Sequence, residues 1–142
     1  MNPSPIGVFD SGLGGLSVLR EIRALLPHES LLYLADSRYA PYGEKPERFV
    51  EARTLQVCEW LVAQGCKALV IACNTATGVA MRPLQRVWLP AHHPERRVLG
   101  IIAPMVEEIA RTPVHSKAGA DEAKRPPETV CIFESQATVE SG

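Results

Sequence analysis

An excess of charge of one sign is missing from this 142-residue sequence. Its 15 Lys and Arg stand against 16 Asp and Glu, leaving a net charge of −1. That near-cancellation argues against a basic footprint for nucleic acid or a polybasic surface for membranes. Long apolar runs are missing too, since no stretch approaches the roughly 20 residues a membrane span needs. The opening Met1-Asn2-Pro3-Ser4-Pro5 carries no basic segment. The apolar run behind it is too short for a secretory signal, so the cytoplasm is the expected compartment. There is no C-x-x-C, and Cys58, Cys66, Cys73 and Cys131 match no zinc spacing. His28, His92, His93 and His115 form no ligand pair close to a third ligand, so no metal is expected. In a reducing compartment the thiols stay free, and one of them is available for chemistry.

What is present is an ordinary globular balance, 46% hydrophobic and 22% charged, with room for one domain and a sizeable core. Ile6 to Phe9 is a short apolar run ending in Asp10-Ser11-Gly12, a strand followed by a turn. Leu16, Leu19, Ile22, Arg23 and Leu26 recur at three- to four-residue spacing, predicting a helix over 14–26 that stops at Pro27. Leu31 to Ala35 is a second strand, and Asp36 to Pro46 is rich in turn formers. From Glu47, the residues Val50, Thr54, Val57 and Leu61 share a helical face, with Gly65 as C-cap. Ala68 to Ala72 is a third strand, followed by a helix from about 76 that Pro83 should kink or end. Val98 to Ile102 is a fourth, with a short helix after Pro104. Non-alternating strands separated by helices predict an α/β fold, an open parallel sheet with helices on both faces. Residues 112–128 hold three prolines and almost nothing apolar and read as a linker. Val130 to Phe133 begins a new strand with no helix after it. The expected organisation is a domain over 1–111, the linker, and the first strand of a truncated second domain over 129–142.

In open parallel sheets ligands bind beyond the carboxyl ends of the strands. Asp10-Ser11, Pro41-Tyr42-Gly43 and Cys73-Asn74-Thr75 all fall there. Cys73 leaves a buried strand at a helix N-terminus, where the dipole and unpaired N–H groups favour a thiolate; the alternative is a small buried packing residue. Cys58, Cys66 and Cys131 read as packing residues. Asp10 either caps the helix after it or handles a proton beside Cys73. Tyr42 and Gly43 can present a phenol and a backbone N–H, and Asn74 and Thr75 add further donors. Two rivals stand against a catalytic thiol. Gly12-x-Gly14-x-x-Ser17 with Asp36 after the second strand superficially matches a dinucleotide fingerprint, although Ser17 replaces its third glycine. The other rival is a non-catalytic ligand-binding fragment.

Three blocks together closely resemble the glutamate racemases of the aspartate/glutamate racemase family. They are Val8 to Val18, Ala35-Asp36-Ser37-Arg38-Tyr39-Ala40-Pro41-Tyr42-Gly43, and Ala72-Cys73-Asn74-Thr75-Ala76-Thr77. The Cys-Asn-Thr block alone is shared with aspartate and hydantoin racemases, so aspartate or another amino acid is the alternative substrate. The resemblance runs from residue 6 to about 110 and returns at 135–142, with Ser135 where the family usually has Thr. It implies a two-domain enzyme without cofactor, in which one cysteine removes the α-proton of glutamate and a second returns a proton on the opposite face. It implies Cys73 and Asp10 as the acid/base pair on one side. It also implies Asp10, Ser11, Tyr42, Gly43, Asn74, Thr75, Ser135 and Thr138 as substrate-binding residues. The partner implied is a small molecule, glutamate, and a homodimer is compatible with the family. D-glutamate would feed peptidoglycan and hence cell-wall synthesis. The family's second cysteine lies in a Cys-Thr-His segment that this sequence does not contain. The expectation is therefore little or no racemisation by the 142-residue chain, with half-site exchange the most it retains.

Overall fold

The computed structural model describes residues 2–111. The 112–128 linker, the strand expected over 129–142, and with them Cys131, Ser135 and Thr138, lie outside the described residues. Within them the chain runs β1 (Ile6–Asp10), α1 (Leu16–Leu25), β2 (Leu31–Ala35), two single 3-10 turns (Ser37–Tyr39 and Tyr42–Glu44), α2 (Glu47–Ala63), β3 (Ala68–Ile71), α3 (Asn74–Pro83), a π turn (Leu84–Trp88), α4 (Leu89–His92), β4 (Arg97–Gly100) and α5 (Ile102–Arg111).

The four strands form one parallel sheet in the order β2-β1-β3-β4. Ile6 pairs with Leu31 on one side and Ala68 on the other, and Ala68 pairs in turn with Arg97. This is the α/β architecture expected from the strand pattern. The order has one consequence for function. The chain leaves β1 toward β2, then crosses back over β1 to build β3 on its other side. The loops after β1 and β3 therefore depart in opposite directions and leave a crevice between them, which is where such sheets take ligands.

One face of the sheet is thick and the other thin. Val50, Thr54, Val57, Cys58 and Leu61 of α2 are buried, as are Thr75, Ala76, Thr77 and Ala80 of α3, and these helices pack together over Phe9, Leu69 and Ile71. Cys58 and Cys66 are fully buried in this core, as packing residues would be. By contrast, α1 carries no fully buried residue. Gly65, with φ of +86°, turns the chain out of α2 in a left-handed conformation that suits glycine.

Two boundaries differ from the sequence pattern. The third helix starts at Asn74 rather than near 76, because the Cys73 side chain itself accepts the Ala76 N–H and caps the first turn. Pro83 ends α3, one of the two effects expected of this proline. Lacking the N–H for an i→i−4 bond, it closes α3, and the backbone continues through the π turn into α4. The last helix likewise begins at Ile102, with Pro104 inside its first turn. No helix among the described residues is long and apolar enough to cross a membrane.

Candidate active site at the carboxyl edge of the sheet

β1 and β3 end side by side, Phe9 opposite Ile71, and this register brings the two loops together. Cys73 is nearly buried in the mouth of the crevice; its Sγ lies 3.5 Å from Ser11 Oγ and accepts the Ala76 N–H at 3.4 Å. The thiol thus sits at the first turn of α3, with the helix dipole behind it and a hydroxyl in front. Sequence separation between Ser11 and Cys73 is 62 residues, so only the sheet joins them.

Asp10, 7% exposed, organises the glycine loop. Its Oδ2 accepts N–H bonds from Gly12 at 3.2 Å and Gly15 at 2.9 Å. Gly15 is obligatory there, since a Cβ would stand 2.6 Å from Asp10 Cβ and 3.1 Å from Ala72 Cβ. Asp10 thus braces the loop that leads into α1, without making a side-chain cap of that helix. Among the described residues no Lys or Arg pairs with it, and the carboxylate is held by backbone N–H groups. Tyr33 completes the loop from the neighbouring strand: its hydroxyl donates to the Gly12 carbonyl at 3.0 Å. Burial, and then the charge of Asp10, pushes the Tyr33 phenol above the usual tyrosine range, which keeps it a donor.

The turn after β2 departs from expectation. Tyr42 does not present its phenol to the crevice: the ring is 1% exposed, and its hydroxyl donates to Asp36 Oδ2 at 2.6 Å. Burial, and next the Asp36 hydrogen bond, raises the phenol far above its ordinary range. Only the backbone of this turn remains for a ligand, and Gly43 beside it is half-buried. Asp36 is in turn gripped by Arg53, Nε to Oδ2 and Nη2 to Oδ1, both at 2.8 Å. That bidentate bond holds the Asp36 carboxyl below the usual carboxylate range despite burial. Asp36 is thereby taken out of the role a dinucleotide fingerprint would give it, since its oxygens already serve Arg53 and Tyr42.

Asn74 is half-buried and Thr75 buried at the start of α3, beside Cys73. Of the expected site residues, the fold brings Asp10, Ser11, Cys73, Asn74 and Thr75 to one edge. Arg53 and Tyr33 were not among them, because each acts across 17 or 21 residues of sequence. The signal that could have found Arg53 is its position one residue before Thr54, beside the buried stripe of α2 and following an acid at a strand end. The other two described thiols lie in the core, away from this edge. Burial, with Glu59 adding to it, pushes Cys58 up to about 12, and burial also raises Cys66. No group of His, Cys, Asp and Glu among the described residues is arranged to hold a metal.

Comparison with known proteins finds no matching family model. It does find close relatives. Over 86 residues, 61% of this chain and 32% of the relative, the sequence is 85% identical to a glutamate racemase of Cupriavidus pinatubonensis. Over 120 residues, 84% of this chain and 43% of the relative, it is 47% identical to that of Corynebacterium diphtheriae. The chain thus spans about a third to under half the length of these curated relatives. Among solved structures, glutamate racemase from Francisella tularensis in complex with D-glutamate superposes with a TM-score of 0.77 at 29% identity, over 99% of this chain and 46% of that one. The Thermus thermophilus enzyme in complex with β-chloro-D-alanine gives 0.72 at 34% identity, with the same coverages.

Proposed function

From the premise that this chain is kin to the N-terminal part of the glutamate racemases, we propose that it forms one face of a glutamate racemase site with Cys73 as its proton-transfer group. The observation that carries the reading is the Cys73 thiol at the first turn of α3, 3.5 Å from Ser11 Oγ across the β1/β3 crevice.

The chemistry follows from that placement. As a thiolate, Cys73 takes the α-proton of bound glutamate: the C–H bond breaks, an S–H bond forms, and the electron pair stays on the substrate as a planar carbanion. Inversion then needs a second acid on the opposite face, because one group in one place mostly returns the proton to the side it left. Cys58 and Cys66 lie in the core and cannot reach that face. Ser11, the Gly43 backbone, Asn74 and Thr75 are the donors suited to the substrate carboxylates. Asp10, which pairs with no Lys or Arg among the described residues, suits the ammonium. Thr138 and Ser135 are assigned to the same substrate by the family pattern alone. The domain proposed for this work is 1–111, with a linker to 128 and a second unit beginning at 129. The setting is cytoplasmic, as a homodimer, supplying D-glutamate for peptidoglycan.

The test is deuterium exchange at the α-carbon of L- and D-glutamate in D₂O, followed by NMR, for the 142-residue chain and its Cys73→Ser variant. Cys73-dependent exchange is expected, with glutamate binding retained in the variant and little inversion in either. Equal exchange by both proteins, or none by a folded wild type that also fails to bind glutamate, overturns the reading.

A further inference from the structure

The side chains behind the Tyr42 turn form a second polar cluster that the proton-transfer scheme does not use. The segment from Asp36 to Pro46 has little backbone bonding of its own: Tyr39 N–H to Asp36 O, Ala40 N–H to Ser37 O and Lys45 N–H to Tyr42 O close its two single turns. What fixes it is side chains. Arg53 on α2 forks onto Asp36, and Asp36 accepts the Tyr42 hydroxyl. The same guanidinium lies 4.6 Å from the centroid of the Tyr39 ring, which in turn packs 5.7 Å from Phe49. Nη1 of Arg53 reaches Gln56 at 3.1 Å, so the guanidinium is held on α2 as well. At the other end, the Tyr42 ring packs 6.0 Å from Phe9, the residue before Asp10. The Tyr42–Glu44 turn also touches α3, whose cap is Cys73.

We infer that Arg53 and Asp36 are a positioning pair for the site, acting through the Tyr42 hydroxyl to hold the Tyr42–Gly43 turn against Phe9 and the start of α3. The inference deepens the proton-transfer reading above and takes its relevance from it. A planar fork on a carboxylate fixes direction as well as distance, and the hydroxyl passes that direction on to the turn. Burial first, then Asp36, and last of all the nearby Cys73 push the Tyr42 phenol up, in keeping with the contact between this turn and α3. Arg53 touches no reacting atom, so its part is to place the turn.

The experiment reads Cys73 itself, without glutamate. In the full chain, the rate of Cys73 carbamidomethylation by iodoacetamide is followed by peptide mass spectrometry between about pH 6 and 9. Amide signals of Tyr42, Gly43 and Thr75 are followed by NMR. Arg53→Met is expected to change the Cys73 rate by about threefold or more and to move all three amide signals. Tyr42→Phe, which keeps the ring on Phe9 and removes only the hydroxyl, is expected to do the same with a smaller fall in Tm. Arg53→Lys, which keeps the charge without the fork, should fall between wild type and Arg53→Met. A lowered Tm with an unchanged Cys73 rate profile and unmoved Gly43 signal would mark the cluster as purely stabilising and overturn the inference. Should Arg53→Met fail to fold, Tyr42→Phe and Arg53→Lys decide the matter by the same readings. Because no substrate is involved, failure here is separate from failure of the exchange assay.

Discussion

Asp10 and Asp36 occupy almost the same place in the fold and meet opposite fates. Asp10 closes β1, Asp36 follows the end of β2, and the Asp36 N–H donates to the Asp10 carbonyl at 2.9 Å. Both are nearly buried, at 7% and 5% exposure. Asp10 is held by neutral N–H groups of its own glycine loop, and Asp36 by a guanidinium and a phenol from elsewhere. A carboxylate held by backbone N–H groups has no counter-charge set against it. One forked by Arg53 has its charge neutralised and its geometry fixed. Location at the carboxyl edge of a parallel sheet therefore does not decide whether an acid is taken up by an ion pair; the neighbours do.

The largest expected effect tests the Asp36 half of that contrast. Asp36→Asn leaves Arg53 facing a neutral group in a site where its side chain is only 28% exposed. Loss of one partner of such a pair, softened by that exposure, should cost about 2–3 kcal/mol in chemical denaturation. The pH dependence carries the same signature. The Arg53 hydrogen bond holds the folded-state pKa of Asp36 below its ordinary value of 3.8, so the unfolded chain takes up the proton first as pH falls. The stability Asp36 contributes is complete above that value and is lost as pH drops through the folded pKa. Wild-type Tm should therefore fall more steeply than that of Asp36→Asn below about pH 4. Parallel Tm curves for the two proteins would show that Asp36 is no more tightly held than Asp10.

Next in size is the packing that keeps Asp10 in place. Gly15→Ala would set a Cβ 2.6 Å from Asp10 Cβ and 3.0 Å from the Tyr33 hydroxyl, against rigid neighbours on two strands. Overpacking of this kind costs about 1–3 kcal/mol. Gly12→Ala, where nothing lies within 4 Å, should stay within about 0.5 kcal/mol of wild type. Equal costs at the two positions would mean the loop is not clamped at Gly15.

How far the sequence discloses this arrangement differs between the two acids. The sheet, the four strand positions and the edge carrying Asp10, Ser11 and Cys73 follow from local apolar runs and from the rule that parallel sheets bind at their carboxyl ends. Local pattern also placed Val50, Thr54, Val57 and Leu61 on one buried face. It failed where a partner is set by tertiary contact. Tyr42 reads as an exposed donor because its turn is rich in Pro and Gly, yet its ring is drawn inward by Phe9 and Asp36. Arg53 is passed over, since its acid lies 17 residues earlier and only the fold joins the two. Pro83 reads correctly as the end of its helix, but local rules do not foresee the π turn that carries the chain on into α4.

The smallest effect bears on the Asp10 half alone. Tyr33→Phe removes the hydroxyl that donates to the Gly12 carbonyl and keeps the ring, so the loss should be about 1 kcal/mol at neutral pH. Its pH dependence runs opposite to that of Asp36. The folded-state pKa of Tyr33 is raised above the model value of 10.0, first by burial and then by the charge of Asp10. The unfolded chain thus loses the phenolic proton first as pH rises, and the contribution present below that value fades above it. The gap in stability between wild type and Tyr33→Phe should be constant from about pH 6 to 9 and close above about pH 10. Hydrogen exchange at the Gly12 and Gly15 amides gives the local reading: faster exchange in Tyr33→Phe would place Tyr33 with Asp10 as a support of the loop that carries Ser11. Unchanged exchange there, with the stability gap still present, would assign the hydroxyl to strand packing and leave the bracing of Gly12 and Gly15 to Asp10.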